Sequence, residues 1–331
     1  MAEMTKDEFF RIARVGKIPD SILEEVWRDI LKERERLKKL EKTNMNKEQF
    51  FESLCNTCIT EQDKIAAILL ARGVLIEKID GRYYLSDNAD IGDVDYLARV
   101  VEAFQLGKVV DSGKRVTRRR RSWRDDDPRC SYEYESLVSQ GVEIIFDRNV
   151  DVRQAAALFE DQKRIGCEAG ANRIGWPQYT REVLPTKVSL SILEPYVAFY
   201  VKAVSACGVF TASACDGNHR DGGRIIVESH SPSDIWHKCI WEYLVRPRFG
   251  PLLFIGTGIP FTSNDQYEKY LLINQIASFL YDNRIAIRER KTQSVSRITK
   301  KYRKKRTDTE IIRFYEDECR RVLTAGTDVL I

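Results

Sequence analysis

Apolar positions in the N-terminal part of the chain recur at helical spacing. Ile22, Val26, Ile30, Leu31 and Leu37 fall on one side of a stretch otherwise dense in charge, which predicts an amphipathic helix to about Leu40. Thr5 with Glu8, and Ser21 with Glu24, are capping-box pairs that open this helix and one before it. A third helix is expected from about Asn46 to Leu54. A fourth opens at Thr60 with Asp63 three residues on, carries Ile65, Ile68, Leu69 and Leu70, and stops at Gly73. The pattern then changes. Apolar runs at 74–79 and 82–85 flank Asp80-Gly81, the strongest short signal for a β-hairpin. Helix, helix, hairpin is a winged-helix-like order, expected over residues 1–106. The would-be recognition helix opens with Glu61, Gln62 and Asp63, which repel phosphate, so a protein-docking or purely structural module is at least an equal expectation.

Residues 107–140 carry Gly113, an arginine run, an aspartate triplet and Pro128, and read as a loop or linker. Residues 141–331 read as a second domain. Strands are expected at 142–146, 209–214, 224–229 and 251–255. Helices are expected at about 152–166, 192–206, 231–245, 265–281 and 309–323. Strand, helix, strand, hairpin, strand, helix, strand is the split βαβ, or ferredoxin-like, order. The predicted class is therefore α+β, with helical additions and a basic helical C-terminal extension.

Composition narrows the class of protein. The chain has 331 residues, 43% hydrophobic and 31% charged, as in ordinary globular proteins. No apolar run approaches the ~20 residues that span a bilayer, and the first ten residues lack the basic start and apolar core of a secretory signal. The eight scattered cysteines read as reduced thiols, so a cytoplasmic location is expected.

Charge changes the picture through its distribution. Seven basic residues and no acid lie between Lys114 and Arg124, and eleven with one acid between Arg284 and Arg306. Arg119, Arg120, Arg121, Lys300, Lys301 and Lys304 are the residues expected to neutralise phosphates of a nucleic acid or nucleotide. The plain alternative is a solvated surface, with Asp125, Asp126 and Asp127 neutralising the first cluster.

The three histidines, His219, His230 and His237, all fall within one short stretch, and they would form a metal site only if the hairpin between the expected strands curls back. The plain readings are packing beside Trp236 and Trp241 for His237, and helix capping for His230. The turn from Cys215 to Gly223 holds Asp216, His219, Arg220 and Asp221 among three glycines. Glycines let a backbone approach a ligand closely. Such a turn could hold a phosphate through its amides and Arg220, or a divalent cation through Asp216 and Asp221, although the same residue types also make ordinary turns. Asp147 ends the first expected strand of the second domain, where a carboxylate could share magnesium with Asp151 or cap the next helix. Cys55 and Cys58 form a single Cys-x-x-Cys, best read as ordinary thiols.

The leading expectation is a metal-dependent nuclease or nucleotidyltransferase using Mg or Zn. Asp147, Asp216, His219 and Asp221 would be its metal or acid–base groups, and Arg220 and Arg224 would meet phosphate. The competing expectation is a non-enzymatic binding or regulatory protein that uses the N-terminal module for a partner and the hairpin for a ligand.

Overall fold

The computed structural model describes residues 6, 24, 27–28, 31, 45–86, 89, 91–111, 115–120, 132–137, 141–159, 193–209, 211–217, 224–229, 233–250, 259–261, 264–301 and 308–325. Most of the first two expected helices lies outside these residues. Within them, the Lys6 amine pairs with Glu24 at 2.8 Å, and Trp27 is buried.

Helix α1 (Lys47–Leu54) starts from a full capping box, Asn46 with Gln49. Helix α2 (Glu61–Ala71) starts from another, Thr60 with Asp63. The hairpin follows as strands β1 (Ile76–Ile79) and β2 (Arg82–Leu85). Asp80 and Gly81 both have positive φ, 49° and 78°, the condition for the tight primed turn that Asp-Gly favours. The acid at the start of α2 has a local role. Asp63 accepts hydrogen bonds from Lys78 at 2.7 Å and from the Tyr83 hydroxyl at 2.8 Å, so it bolts the helix to the hairpin. The Lys78 hydrogen bond, with help from Thr60 and Tyr83, holds its carboxyl well below the usual range against the opposing effect of burial.

Helix α3 (Ile91–Ala103) leads into β3 (Gly107–Asp111). Strands β4 (Arg115–Arg120) and β5 (Tyr132–Leu137) pair antiparallel, and β6 (Val142–Phe146) closes the excursion. Within the segment expected to be a loop, the described residues are thus strand, while Gly113, the aspartate triplet and Pro128 lie outside them. Val109-Val110, Val116-Thr117, Tyr132 and Tyr134 are β-formers, which accounts for the strands.

The fold is mixed helix and sheet, but the first strand of the expected ferredoxin-like unit sits elsewhere. The four-stranded sheet has order β1-β2-β6-β3, so Val142–Phe146 lies between the N-terminal hairpin and β3. That sheet crosses the division expected at residue 141. Val142, Ile144 and Phe146 are buried while Ile145 is exposed, so one face of β6 serves the core.

Beyond β6, Asp151 caps a short helix α4 (Val152–Ala156), followed by a 3₁₀ turn to Phe159. The rest of the helix expected to 166 lies outside the described residues. Helix α5 (Ala198–Ala206) is buried along its length. It ends at Gly208 (φ 87°), with Val209 N–H donating to Val204 and Gly208 N–H to Ser205, a Schellman cap. Strands β7 (Thr211–Cys215), β8 (Arg224–Ser229) and β9 (Ile259–Pro260) form a separate three-stranded sheet. The strand expected at 251–255 lies outside the described residues.

Helix α6 (Ser233–Ile240) passes through a π turn at 241–245 into α7 (Arg246–Phe249). Three further helices are α8 (Gln266–Asp282), α9 (Arg284–Lys301) and α10 (Asp308–Thr324). One contiguous core takes in Leu69, Leu85, Ile144, Val204, Trp236, Leu280 and Leu323. A polar latch joins the hairpin to the C-terminal helices. The Arg284 guanidinium donates to Glu77 at 2.6 Å and lies 4.0 Å from the Tyr281 ring centre, and Ser86 donates to the same carboxylate at 3.0 Å. No helix among the described residues is long and apolar enough to cross a membrane.

Candidate functional site

The best-defined point on the ionisable turn is its first residue. Strand β7 delivers Cys215 opposite Ile226 of β8, and Asp216 follows, fully buried. Both main-chain groups of Asp216 are held by side chains from other elements. Its N–H donates to the Glu194 carboxylate, and its carbonyl accepts from the Tyr270 hydroxyl at 2.9 Å. Gly217 (φ 87°) turns the chain away, and its N–H donates to the Cys215 sulfur at 3.3 Å.

Aromatic rings form the floor. Tyr196 and Tyr270 stack with centres 4.1 Å apart, Tyr267 lies 6.0 Å from each, and Phe261 packs on Tyr270 at 5.7 Å. The surroundings are also electrostatically distinctive. Burial, then the negative charge of Asp216 and Glu194 among its neighbours, drives the Tyr270 phenol far upward, so it stays a hydrogen-bond donor. Burial pushes the Cys215 thiol up to about 11, which keeps it a thiol rather than a nucleophilic thiolate. The Glu194 carboxylate therefore meets the main chain of the buried Asp216 at the head of the turn. Chemically, each of these carboxylates can receive a cation or a proton.

The other expected site residues are spread over the molecule. Asp147 is exposed after β6, and its N–H donates to Leu106 at 3.0 Å. It follows a strand of the four-stranded sheet, whereas Asp216 follows a strand of the three-stranded one. Its suggested partner, Asp151, is used locally: it caps α4 and accepts from the Arg153 guanidinium at 2.5 and 2.8 Å. His237 is buried, with its Nε2 3.0 Å from the Tyr200 hydroxyl, so that ring nitrogen is engaged by a phenol. Arg224 opens β8 opposite Pro260. Arg119 and Arg120 lie in β4, and Lys300 and Lys301 end α9. His219, Arg220, Asp221, His230, Arg121 and Lys304 lie outside the described residues. Among the described residues, no group of three or more His, Cys, Asp or Glu is placed to share a metal ion.

Part of the second basic cluster is committed to the fold. Arg284 belongs to the latch, Arg290 donates to the Leu323 carbonyl at 3.1 Å, and Lys291 is buried on the Gly208 carbonyl at the end of α5. Sequence reasoning missed Glu194 altogether. It lies 22 residues before Asp216, with no periodicity linking the two. Tyr270 falls within the helix expected at 265–281, with nothing in the pattern to mark its hydroxyl. Comparison with protein-family models, with curated proteins and with solved structures found no match to the chain.

Proposed function

We propose that the chain is a cytoplasmic, nucleic-acid- or nucleotide-associated protein whose working site is the connection between β7 and β8, headed by Asp216. One observation carries this reading: a fully buried aspartate at the head of a glycine-rich ionisable turn, with its N–H and carbonyl clamped by Glu194 and Tyr270. Burying a carboxylate is costly, and an ordinary surface turn does not require it. In this reading Asp216, with Glu194 beside it and His219 and Asp221 further along, supplies the metal or acid–base groups, and Arg220 and Arg224 meet phosphate. The reaction class is metal-dependent phosphoryl or nucleotidyl transfer, or phosphodiester hydrolysis, with Mg or Zn as the ion. The exposed Asp147 is the weakest member of the set.

The test is titration of the full chain with Mg²⁺ and Zn²⁺, paired with turnover of labelled nucleic acid by the parent and by Asp216→Asn and His219→Ala. A divalent ion should bind the parent, and each variant should lose about a hundredfold in turnover. A parent that binds neither ion and turns nothing over sinks the enzymatic reading.

The second reading is a non-enzymatic binding protein. It draws support from Asp63, which spends its charge on the hairpin and makes the N-terminal helix–helix–hairpin unit a rigid, winged-helix-like platform for a protein partner.

A further inference from the structure

The register of the four-stranded sheet sorts its outward side chains into two lines. Glu77 lies opposite Tyr84, Tyr84 opposite Glu143 and Glu143 opposite Val110, one line across all four strands. Ile79 lies opposite Arg82, and Lys108 opposite Ile145. One step along the ladder from Tyr83 and Ile144, Arg82 comes beside Ile145 and completes the second line. Opposite residues share a face, and faces alternate along a strand, so both lines lie on the face turned away from Tyr83, Leu85, Val142 and Ile144. Burial agrees. Those four are buried, whereas Ile79 is 48% exposed and Val110 and Ile145 are each 39% exposed. Lys78, on the inner face, reaches Asp63 of α2, which fixes that helix on the inner side.

The two lines differ in charge. One carries the acids Glu77 and Glu143, with Tyr84 and Val110. The other carries the cations Arg82 and Lys108, with Ile79 and Ile145. Arg82 lies 3.6 Å from Glu143 and keeps most of its side chain in solvent. The latch borders the face at β1, where Arg284 pairs with Glu77.

We propose that this face is the contact between two copies of the chain, related by a two-fold axis lying between the facing sheets at right angles to the strands. Exposed apolar side chains on a regular surface mark an interaction site, and charge complementarity selects the occupant. That axis turns the second copy end for end. The Arg82–Lys108 line of each copy then lies on the Glu77–Glu143 line of the other, and the match occurs twice. A two-fold along the strands would instead set cations on cations and acids on acids. Ile145 and Tyr84, on the two inner strands, form the centre of the resulting sandwich. Arg82 gains the ring of Tyr84 in the second copy as a stacking partner. A patch of this size is small for a permanent dimer, so the association depends on concentration.

The experiment measures the mass of the full chain by sedimentation equilibrium across a roughly hundredfold range of concentration, with circular dichroism confirming that each variant is folded. The parent should pass from monomer to dimer. Ile145→Glu, at an exposed position in the centre of the face, should remain monomeric. Lys108→Glu and Glu143→Lys each set like charges against one another twice per dimer, and each should weaken self-association by roughly tenfold. Mixed in equal amounts, these two variants should associate with each other roughly tenfold more tightly than either does with itself, because both altered positions then meet the opposite charge. A parent that stays monomeric throughout overturns the proposal. A dimer that survives Ile145→Glu places the contact on another surface and overturns it as well. A mixture that associates no better than its separate components overturns the axis that exchanges the two lines.

Discussion

Lys291 shows what a single residue can do to the whole fold. Burial lowers its ammonium to about 8, from an ordinary value near ~10.4. Below the lowered value, the folded and unfolded chains both carry the proton, and the fold bears the full cost of burying a charge. Between the two values the folded lysine is neutral while the unfolded one is still charged, so stability rises with pH. The gap corresponds to about 3 kcal/mol. Buried thiols oppose it: Cys207 is pushed up to about 12, so it favours the fold less once unfolded thiols ionise. Comparing parent with Lys291→Met isolates the lysine. Between pH 7 and the upper end of this window, the stability difference should move toward the parent by about 3 kcal/mol in urea unfolding. A constant difference would show that the amine is hydrated in the fold. Lys291 also shows the limit of reading charge from sequence. It belongs to a basic run that looks solvent-facing, yet it lies against the Schellman turn of a helix more than eighty residues upstream, at a sequence separation of 83.

Elements were legible where local chemistry decides them. The capping box of α2, the Asp-Gly hairpin and the end of α5 at Gly208 all follow from residues within a few positions of one another. The partner of β6 was not legible. Val142–Phe146 alternates equally well for any sheet, and its place between β2 and β3 is set by distant strands. The clamp on Asp216 fails for the same reason, because Glu194 and Tyr270 reach it from 22 and 54 residues away. One glycine decides whether β3 can pair with the end of β6. Gly107 has φ 145°, and a Cβ there would lie 2.1 Å from the Ile145 carbonyl oxygen, an approach that no side chain can make. Gly107→Ala should therefore cost about 2–3 kcal/mol in stability, against a few tenths for an exposed strand position. Thermal melting of the variant reads it directly, and an unchanged midpoint would mean that the strands separate easily there.

At the scale of the whole molecule, the latch between the hairpin and the C-terminal helices ties residues 207 positions apart. The Glu77–Arg284 pair is half-buried and shares its carboxylate with Ser86, so removing one partner strands the other. Arg284→Gln should cost about 2 kcal/mol, and a double-mutant cycle with Glu77→Gln should return most of that as coupling energy. Additive effects would place the energy in the stacking of Arg284 on Tyr281 instead.

The sheet order has a further consequence for how the molecule opens. β1 and β2 form a tight hairpin, whereas β3 and β6 pair across the intervening residues 112–141, and the two ladders meet through only two registered pairs, Tyr83 with Ile144 and Tyr84 with Glu143. That seam is the shortest pairing in the sheet. Sub-global opening should begin along it, with each ladder outlasting the seam between them. A protease or a chaperone would then meet two paired ladders with bare edges rather than a melted sheet, and the newly exposed edges of β2 and β6 would be the places where a neighbouring chain could pair.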